Sequence, residues 1–184
     1  VGEGLTEIKQ WIFYDTQIKE IVLPKTLKKL AVCAFSNCHN LEKLNLPDGL
    51  EIIEESAFKQ CDNLQVYEMP ANLRLLGSAP ENAYNRDNGV YIKTKNNPYY
   101  YLSSASLQDG NFIINPKCKV ILFRAFCCCK NDTLVIPNNI ERVDAGAFNQ
   151  CVRIKKVIIG EKVKNISRRA FEKGRKITIV GKIG

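Results

Sequence analysis

One block of residue types recurs through the chain at intervals of 22 or 23 positions. In residues 41–61 the block holds spaced leucines, a proline corner, an Ala-Phe pair and a cysteine. The same order returns at 18–38, 112–129 and 134–151, and in part at 64–76. It returns again at 154–171, with Gly160 at the corner and Gly174 in the place of the cysteine. A fixed period of about 20–50 residues is the signature of a solenoid. One unit is too short to bury its own apolar face, so stacked units must share a core in which each repeat position forms a ladder.

Each copy predicts two short extended pieces and a turn. In residues 41–61, Leu44 and Leu46 alternate as in a half-buried strand, which places strands at about 42–46 and 51–54. Pro47 marks the corner after the first strand, because proline fixes φ and cannot donate to a strand ladder. Residues 56–61 should form a single helical or 3₁₀ turn, since they are too few for a stable helix.

The repeated pattern, L-x-x-L-x-L-P-x-x-L-x-x-I-x-x-x-A-F-x-x-C, resembles the BspA-type leucine-rich repeats, which are surface and secreted repeat proteins of bacteria and some protozoa. The resemblance covers residues 18–76 and 112–180. It implies a curved solenoid with short parallel strands, roles in adhesion or protein binding, and no catalytic residues. We therefore predict an α/β leucine-rich-repeat solenoid, mainly short parallel β-strands with short helical or 3₁₀ turns. It should contain about six to seven repeats of 22–23 residues and one inserted β-hairpin.

The copies divide the chain into consecutive segments of one predicted solenoid domain, residues 1–184. Residues 1–17 form a degenerate N-terminal repeat, in which Trp11-Ile12-Phe13 falls near the place of the Ala-Phe pair. Residues 18–79 and 112–184 carry the repeats, and 80–111 form an insert without the pattern. A bulky aromatic run at the open end of a stack favours a cap over a binding site.

The insert predicts a β-hairpin and supplies the candidate protein-binding residues. Two β-rich runs, Gly89–Thr94 and 99–102, flank the turn sequence KNNP. Tyrosine offers a large contact area with a polar tip and is enriched in recognition surfaces. The candidates are Tyr91, Tyr99, Tyr100 and Tyr101. The alternative is that these rings pack over the irregular repeats. Since neighbours on a strand face opposite sides, Tyr100 should face away from Tyr99 and Tyr101.

The positive charge is concentrated at one end of the chain. The net charge is +8, and residues 152–184 hold eleven Lys or Arg and two Glu, a net of +9, which leaves −1 for the rest. One interpretation is an anionic partner such as a glycan, a wall polymer or nucleic acid. The other is a polar terminal turn that keeps the stack soluble. The candidate anion-binding residues are Lys162, Lys164, Arg168, Arg169, Lys173, Arg175 and Lys176.

The eight cysteines follow the repeat and do not indicate a disulfide framework. Side chains in a ladder point in parallel, so these positions favour reduced, buried thiols. Four occupy one repeat position and a fifth replaces a ladder aliphatic: Cys38, Cys61, Cys129 and Cys151, then Cys118. Three lie off the main ladder, and we expect one or two of them to be exposed and oxidisable: Cys33, Cys127 and Cys128.

The sequence offers little support for an enzyme. It contains no Gly-rich phosphate loop and no G-x-S-x-G. The single histidine, His39, follows Cys38, but adjacent residues of an extended chain point apart, so they do not form a Cys-His nucleophile. No C-x-x-C pair is joined to a second one, so we expect no zinc site. We expect no cofactor and no metal.

These observations favour a non-enzymatic protein-binding or adhesion module of a cell-surface or secreted repeat protein, by family resemblance. The partner would be an unidentified protein or surface ligand, and we expect a monomer. Polyanion binding through the basic C-terminal repeats and a passive spacer are the alternatives. No stretch reaches the ~18 consecutive apolar residues of a membrane span. The chain starts at Val1 and shows no signal peptide, so we expect a fragment or a processed form.

Overall fold

A computed structural model describes residues 2, 4–65, 68–77, 80, 84–85, 89–105, 112–171 and 177–181. In these residues the chain forms fifteen short β-strands and no helix. The strands are β1 Glu7–Ile8, β2 Glu20–Ile21, β3 Lys29–Leu30, β4 Lys43–Leu44, β5 Ile52–Ile53, β6 Leu75–Leu76, β7 Tyr84–Asn85, β8 Gly89–Thr94, β9 Asn97–Ala105, β10 Val120–Ile121, β11 Thr133–Ile136, β12 Arg142–Val143, β13 Lys156–Ile159, β14 Asn165–Ile166 and β15 Thr178–Val180.

The chain divides into two compact units. The first comprises Val1–Tyr84 and Lys93–Asn96, and the second comprises Asn85–Ile92 and Asn97–Gly184. Both are coils of parallel strands, so the predicted leucine-rich-repeat solenoid is confirmed. The single domain predicted for residues 1–184 stays a prediction.

In the first unit two rows of parallel strands carry the repeats. One row has the order β1-β3-β5-β6, and its second residues, Ile8, Leu30, Ile53 and Leu76, are in register and buried. The other row pairs β2 with β4, which places Ile21 beside Leu44. The inward residue of each short strand therefore lies one repeat from its equivalent, as a solenoid core requires.

In the second unit one row runs from β9 through β10 and β12 to β14, and a second row has the order β11-β13-β15. Leu102, Ile121, Val143 and Ile166 are in register along the first row. The two-residue turn at 95–96 joins β8 to β9, which are neighbours in the sheet. The predicted β-hairpin is therefore present, and its second strand extends the first row of the repeats.

The Ala-Phe pairs build the centre of each stack. Their alanines are buried, and their rings stack on those of the neighbouring repeats. Phe13 extends the stack of the first unit, and Phe112, which belongs to the same copy as Phe126, meets the Phe126 ring edge-on. Aromatic rings at such separations add to the free energy gained by burial. In the first unit the centroid distances are 5.0 Å for Phe13–Phe35 and 6.1 Å for Phe35–Phe58. In the second they are 5.5 Å for Phe112–Phe126, 5.3 Å for Phe126–Phe148 and 4.9 Å for Phe148–Phe171.

The segments predicted as single helical or 3₁₀ turns are turns closed by hydrogen bonds three residues back. In one of them the amides of Ser36 and Cys38 donate to the carbonyls of Cys33 and Phe35 at 3.2 and 3.3 Å. Cys33 and Asn37, two residues before and after Phe35, have φ of 54° and 62°. A right-handed helix cannot continue through left-handed residues, so the backbone reverses around the ring. The Phe35 amide then donates to Ala57 O of the next repeat, at 2.9 Å.

The cysteine at the end of three of the turns ties its turn to the preceding repeat. Each of these thiols donates a hydrogen bond to the backbone carbonyl oxygen of the phenylalanine in the preceding repeat. Cys38 donates to Phe13 at 2.8 Å, Cys61 to Phe35 at 2.9 Å and Cys151 to Phe126 at 2.7 Å. Four ladder thiols are buried and Cys61 is half-buried, and all eight cysteines are free thiols. Burial raises the pKa of Cys61 to about 12 and that of Cys118 to about 12.

Candidate functional site

Two of the four candidate tyrosines of the hairpin are buried. Tyr91 and Tyr101 have no exposed surface. The hydroxyl oxygen of Tyr91 accepts a hydrogen bond from the Asn115 amide at 2.9 Å, and the Tyr91 ring meets Tyr99 edge-on at 5.4 Å. These two rings are therefore placed for packing, the alternative that the sequence left open.

The other two tyrosines are half-buried. Tyr99 packs against the core of the second unit, and Tyr100 lies with its ring 4.8 Å from Tyr101. Burial raises the pKa of the Tyr100 hydroxyl, and the nearby Glu141 adds to the rise. Tyr100 thus keeps its proton at neutral pH and can donate a hydrogen bond. Of the four candidates, only Tyr99 and Tyr100 present surface to a partner.

The described basic candidates are all exposed. They are Lys162, Lys164, Arg168 and Arg169. Lys173, Arg175 and Lys176 lie outside the described residues. Among the four that the structure describes, only Lys164 forms an ion pair, with its Nζ 3.6 Å from a Glu141 carboxylate oxygen. The remaining three present unneutralised charge to solvent within the described part of the chain.

One repeat position forms an alternating charge column, which lies just after a buried ladder residue. In the first unit Glu51 pairs with Lys28 at 3.5 Å and with Arg74 at 3.4 Å. In the second unit Glu141 pairs with Lys119 at 3.3 Å and with Lys164. A carboxylate therefore lies between two cations in each triad. Exposed pairs of this kind contribute only about 0–1 kcal/mol each to stability.

A second surface feature, the apolar row, was not foreseen from the sequence. It consists of Val135, Ile158 and Val180, which are in register on β11, β13 and β15. Their neighbours Leu134 and Val157 point into the core, so alternation turns the row outward. Val135 is 56% exposed and Val180 is 42% exposed, while Ile158 is half-buried. Thr133, Lys156 and Thr178 form the adjacent exposed row and give it a polar border.

Aligning the copies by register would have found the apolar row. Its members follow Leu134, Val157 and Ile179, which share one strand position, and the equivalent positions in the first unit are Val22 and Asn45. Val22 is also exposed, at 67%. No single member is unusual, since isolated apolar residues are common on protein surfaces. The signal lies in their recurrence at one position of the period.

Catalytic and metal-binding groups do not converge in the described residues. The imidazole Nδ1 of His39 lies 2.8 Å from the Asp62 carboxylate, and both side chains are exposed. The Cys38 thiol instead donates to Phe13 O, so the Cys-His neighbours do not form a nucleophile pair. Across the described ranges no group of three or more His, Cys, Asp or Glu could hold a metal ion. No helix in those ranges is long and apolar enough to span a membrane.

Comparison with known proteins agrees with this architecture. The model of the BspA type leucine-rich repeat region matches with six copies, over residues 1–97 and 98–181. No curated protein sequence matches the chain.

Three solved structures are similar to the chain. A leucine-rich repeat protein of T. pallidum is 17% identical with a TM-score of 0.34, and the match covers 95% of this chain and 66% of that one. A leucine-rich cell surface protein of Faecalibacterium prausnitzii is 17% identical with a TM-score of 0.33, covering 97% and 52%. A leucine-rich repeat protein of Bacteroides ovatus is 19% identical with a TM-score of 0.37, covering 94% and 45%. The chain thus spans 45–66% of the length of these proteins.

Proposed function

The chain belongs to the BspA-type leucine-rich repeat family, and on that premise we propose that it is a protein-binding module of a cell-surface or secreted repeat protein. A similar solved structure is a leucine-rich cell surface protein, which supports the surface location. A stack of repeats holds its strands in a fixed register, so outward side chains form preorganised rows that need little ordering on binding.

The apolar row carries this proposal. Val135, Ile158 and Val180 lie side by side on neighbouring strands, about 4.8 Å apart, so they form one contiguous patch. An apolar centre with a polar border is the usual anatomy of a protein interface, and the exposed Lys156 and the threonines beside it supply that border. Covering the exposed half of each of these β-branched side chains with a partner would yield roughly half of the ~1.5–3 kcal/mol that burial of a fully exposed one provides.

The half-exposed Tyr99 and Tyr100 are the second contact in the proposal. A stable interface buries about 800 Å² on each partner, which is more than three aliphatic side chains provide. Amphipathic rings such as these two add area with little loss of side-chain entropy. We assign no catalytic role to the chain, and the family supports this.

The experiment measures binding of the 184-residue chain to collagen, heparin and duplex DNA, each at low and high salt. Under the proposal the chain binds the protein and keeps that binding in high salt. The double variant Val135→Thr/Val180→Thr, which replaces outward methyl groups by hydroxyls, should bind at least about tenfold more weakly. Val152→Thr is the matched control, because Val152 is 53% exposed but lies outside the row. If the double variant and the control bind with equal affinity, the apolar row does not contact the partner.

Polyanion binding is the second candidate function, and three exposed, unneutralised cations favour it: Lys162, Arg168 and Arg169. Each phosphate contact releases counterions, so the affinity for heparin or DNA should fall steeply with salt. Arg168→Glu/Arg169→Glu should abolish that binding, whereas Lys25→Glu in the first unit should not. Binding that resists salt or survives both reversals would contradict this candidate. A chain that binds no member of the panel would favour the passive spacer.

A further inference from the structure

Three consecutive cysteines follow Phe126, and two of them present adjacent thiols to solvent. Cys128 is exposed and Cys127 is half-buried, whereas Cys129 is buried. The Sγ atoms of Cys127 and Cys128 are 3.3 Å apart. The Cys129 thiol instead shares a hydrogen bond with Cys151, which lowers the pKa of Cys129 and raises that of Cys151. The surface therefore displays a pair of thiols, and the third sulfur belongs to the core.

The backbone holds this pair in place. The amide of Cys127 donates to Arg124 O at 3.0 Å, and the amide of Cys128 donates to Asn149 O of the next repeat at 3.1 Å. Cys128 has a φ of 62° and occupies one of the recurrent left-handed positions that flank four of the five Ala-Phe pairs. The backbone positions of the two cysteines are thus set by the solenoid and not by a free loop.

Closing the pair to a disulfide is unfavourable in this geometry. Adjacent Cα atoms are about 3.8 Å apart across a trans peptide, below the ~4.4–6.8 Å that disulfides usually span. The sulfurs would also have to approach from 3.3 Å to about 2.05 Å. Both changes would pull Cys128 from its hydrogen bond with Asn149. An atom placed between the sulfurs removes this difficulty, because each sulfur then bonds to that atom and the two sulfurs need not approach to the S–S bond length.

We infer that Cys127 and Cys128 form a chelating site for trivalent arsenic carried by an organic oxide, RAs=O. Thiols select soft centres, and an arsenic atom that bears one organic group has two positions left for sulfur. Zinc is a poorer match, since its structural sites need four protein ligands, and no third His, Cys, Asp or Glu completes a metal group here within the described residues.

The reaction is a condensation without any change of oxidation state. Two S–H bonds and the As=O bond break, two As–S bonds form, and the oxygen leaves as water with both thiol protons. Arsenic stays trivalent and no further reactant is needed. The Cys127 thiol beside Cys128 raises the pKa of Cys128, which keeps Cys128 protonated at neutral pH. Protonation slows attack by a lone thiolate but suits a condensation that consumes neutral thiols.

The neighbours of the pair leave it open on the solvent side. The Cys128 Sγ lies 3.3 Å from the Gln150 side-chain oxygen, and the Cys127 Sγ lies 3.8 Å from an Arg124 guanidinium nitrogen. Both contacts are made by long surface side chains that can move aside. Binding at this site therefore requires no opening of the core.

The test incubates the full 184-residue chain with phenylarsine oxide and records its intact mass. We expect one adduct per chain, with a mass gain equal to the reagent minus one water. A dithiol such as 2,3-dimercaptopropanol should release the adduct, and a monothiol should not. Cys127→Ser and Cys128→Ser should each weaken binding at least roughly tenfold, because the second bond becomes intermolecular. Cys33→Ser, which removes a half-buried thiol elsewhere, should bind like the parent chain.

A second measurement uses only the parent chain, so it does not depend on the folding of a variant. Bound phenylarsine oxide should protect Cys127 and Cys128 from later alkylation, as mapped by peptide mass, and leave Cys33 as reactive as before. Retention of the adduct in both serine variants, or protection of Cys33 instead, would overturn the inference. Rapid closure of a Cys127–Cys128 disulfide by oxidised glutathione would overturn the geometric argument behind it.

Discussion

Replacing Gly146 by alanine tests the left-handed residue that precedes the Ala-Phe pair in four of the repeats. Gly146 has a φ of 62° and occupies the position two residues before Phe148. A side chain in that conformation costs roughly 1–2 kcal/mol, partly offset by the ~0.4–1 kcal/mol that alanine removes from the entropy of the unfolded chain. A Cβ there would also lie 2.6 Å from the Phe123 ring. That ring is 51% exposed and can rotate away, at about 0.5–1.5 kcal/mol.

The expected loss for Gly146→Ala is therefore about 1–2 kcal/mol in the free energy of unfolding. With an m value of about 2 kcal/mol/M, the urea midpoint followed by circular dichroism should fall by about 0.5–1 M. Phe123→Ala removes the steric contact, so Gly146→Ala in that background should keep only the backbone strain, about 1 kcal/mol. Gly146→Asn in the same background should recover part of it, because asparagine tolerates the left-handed region.

The double-mutant comparison separates the two causes. If the entire cost of Gly146→Ala disappears in the Phe123→Ala background, the backbone at residue 146 is not strained and the reasoning about the turn is refuted. A cost of 4 kcal/mol or more, well above the ~1–2 kcal/mol expected from a strained φ, would also refute it, since the exposed ring would then not be free to move.

Three further predictions concern the core, the surface charges and the thiols. Phe35→Ala should lower the free energy of unfolding in urea by about 3–5 kcal/mol, because the ring is fully buried between two others. A loss no greater than that of Phe123→Ala would contradict the ring stack. Two lysines lower the pKa of Glu7 from its ordinary 4.5, so its contribution to stability is present above pH 4.5 and is lost as the pH falls through the lowered value. Glu7→Gln should therefore flatten the decline of Tm below pH 4.5, and an unchanged decline would count against this pairing. Burial raises the pKa of Cys61 and that of Cys118 to about 12. Both thiols should therefore resist alkylation by iodoacetamide at pH 8 until the chain unfolds. Peptide mapping that finds them labelled in the folded chain would disprove their protection.

The ladder positions could be predicted because each one recurs several times in a single sequence. The Ala-Phe pairs and the cysteines mark the same point of every copy, and the structure stacks Phe35 on Phe58 and buries Cys38. Repetition averages out the weakness of each local preference, so the register of the core follows from the period alone. The hairpin was equally visible, since a turn sequence lies between two β-rich runs.

The conformation of the turns could not be predicted, because residue type carries no sign of it there. Cys33, Ser56 and Arg124 are left-handed although none is a glycine or an asparagine. Hydrogen bonds to neighbouring repeats impose this backbone, such as the one from the Arg124 amide to Gly146 O at 3.0 Å. Tertiary context therefore overrides local preference at these positions, as it does elsewhere in folded proteins.

The candidate site shows the same division between local and long-range information. The concentration of tyrosines in the insert can be seen in the sequence. Their burial, however, depends on partners far along the chain, such as the Asn115 amide, which donates a hydrogen bond to the Tyr91 hydroxyl. The apolar row needs the pairing of β11 with β13 and of β13 with β15 before its members meet. Composition could suggest candidate residues for a recognition surface, whereas register decides which side chains lie together and exposed.

The alternating charge column limits how such an array can change its length in evolution. The sign at this position reverses from one repeat to the next, as in Lys28, Glu51 and Arg74. Deleting the middle repeat would bring Lys28 against Arg74, and duplicating it would place two carboxylates together, so either event turns attraction into repulsion. Gaining or losing repeats in pairs keeps every neighbour opposite in charge. The column therefore favours the gain or loss of repeats in pairs, by about 0–1 kcal/mol for each exposed contact.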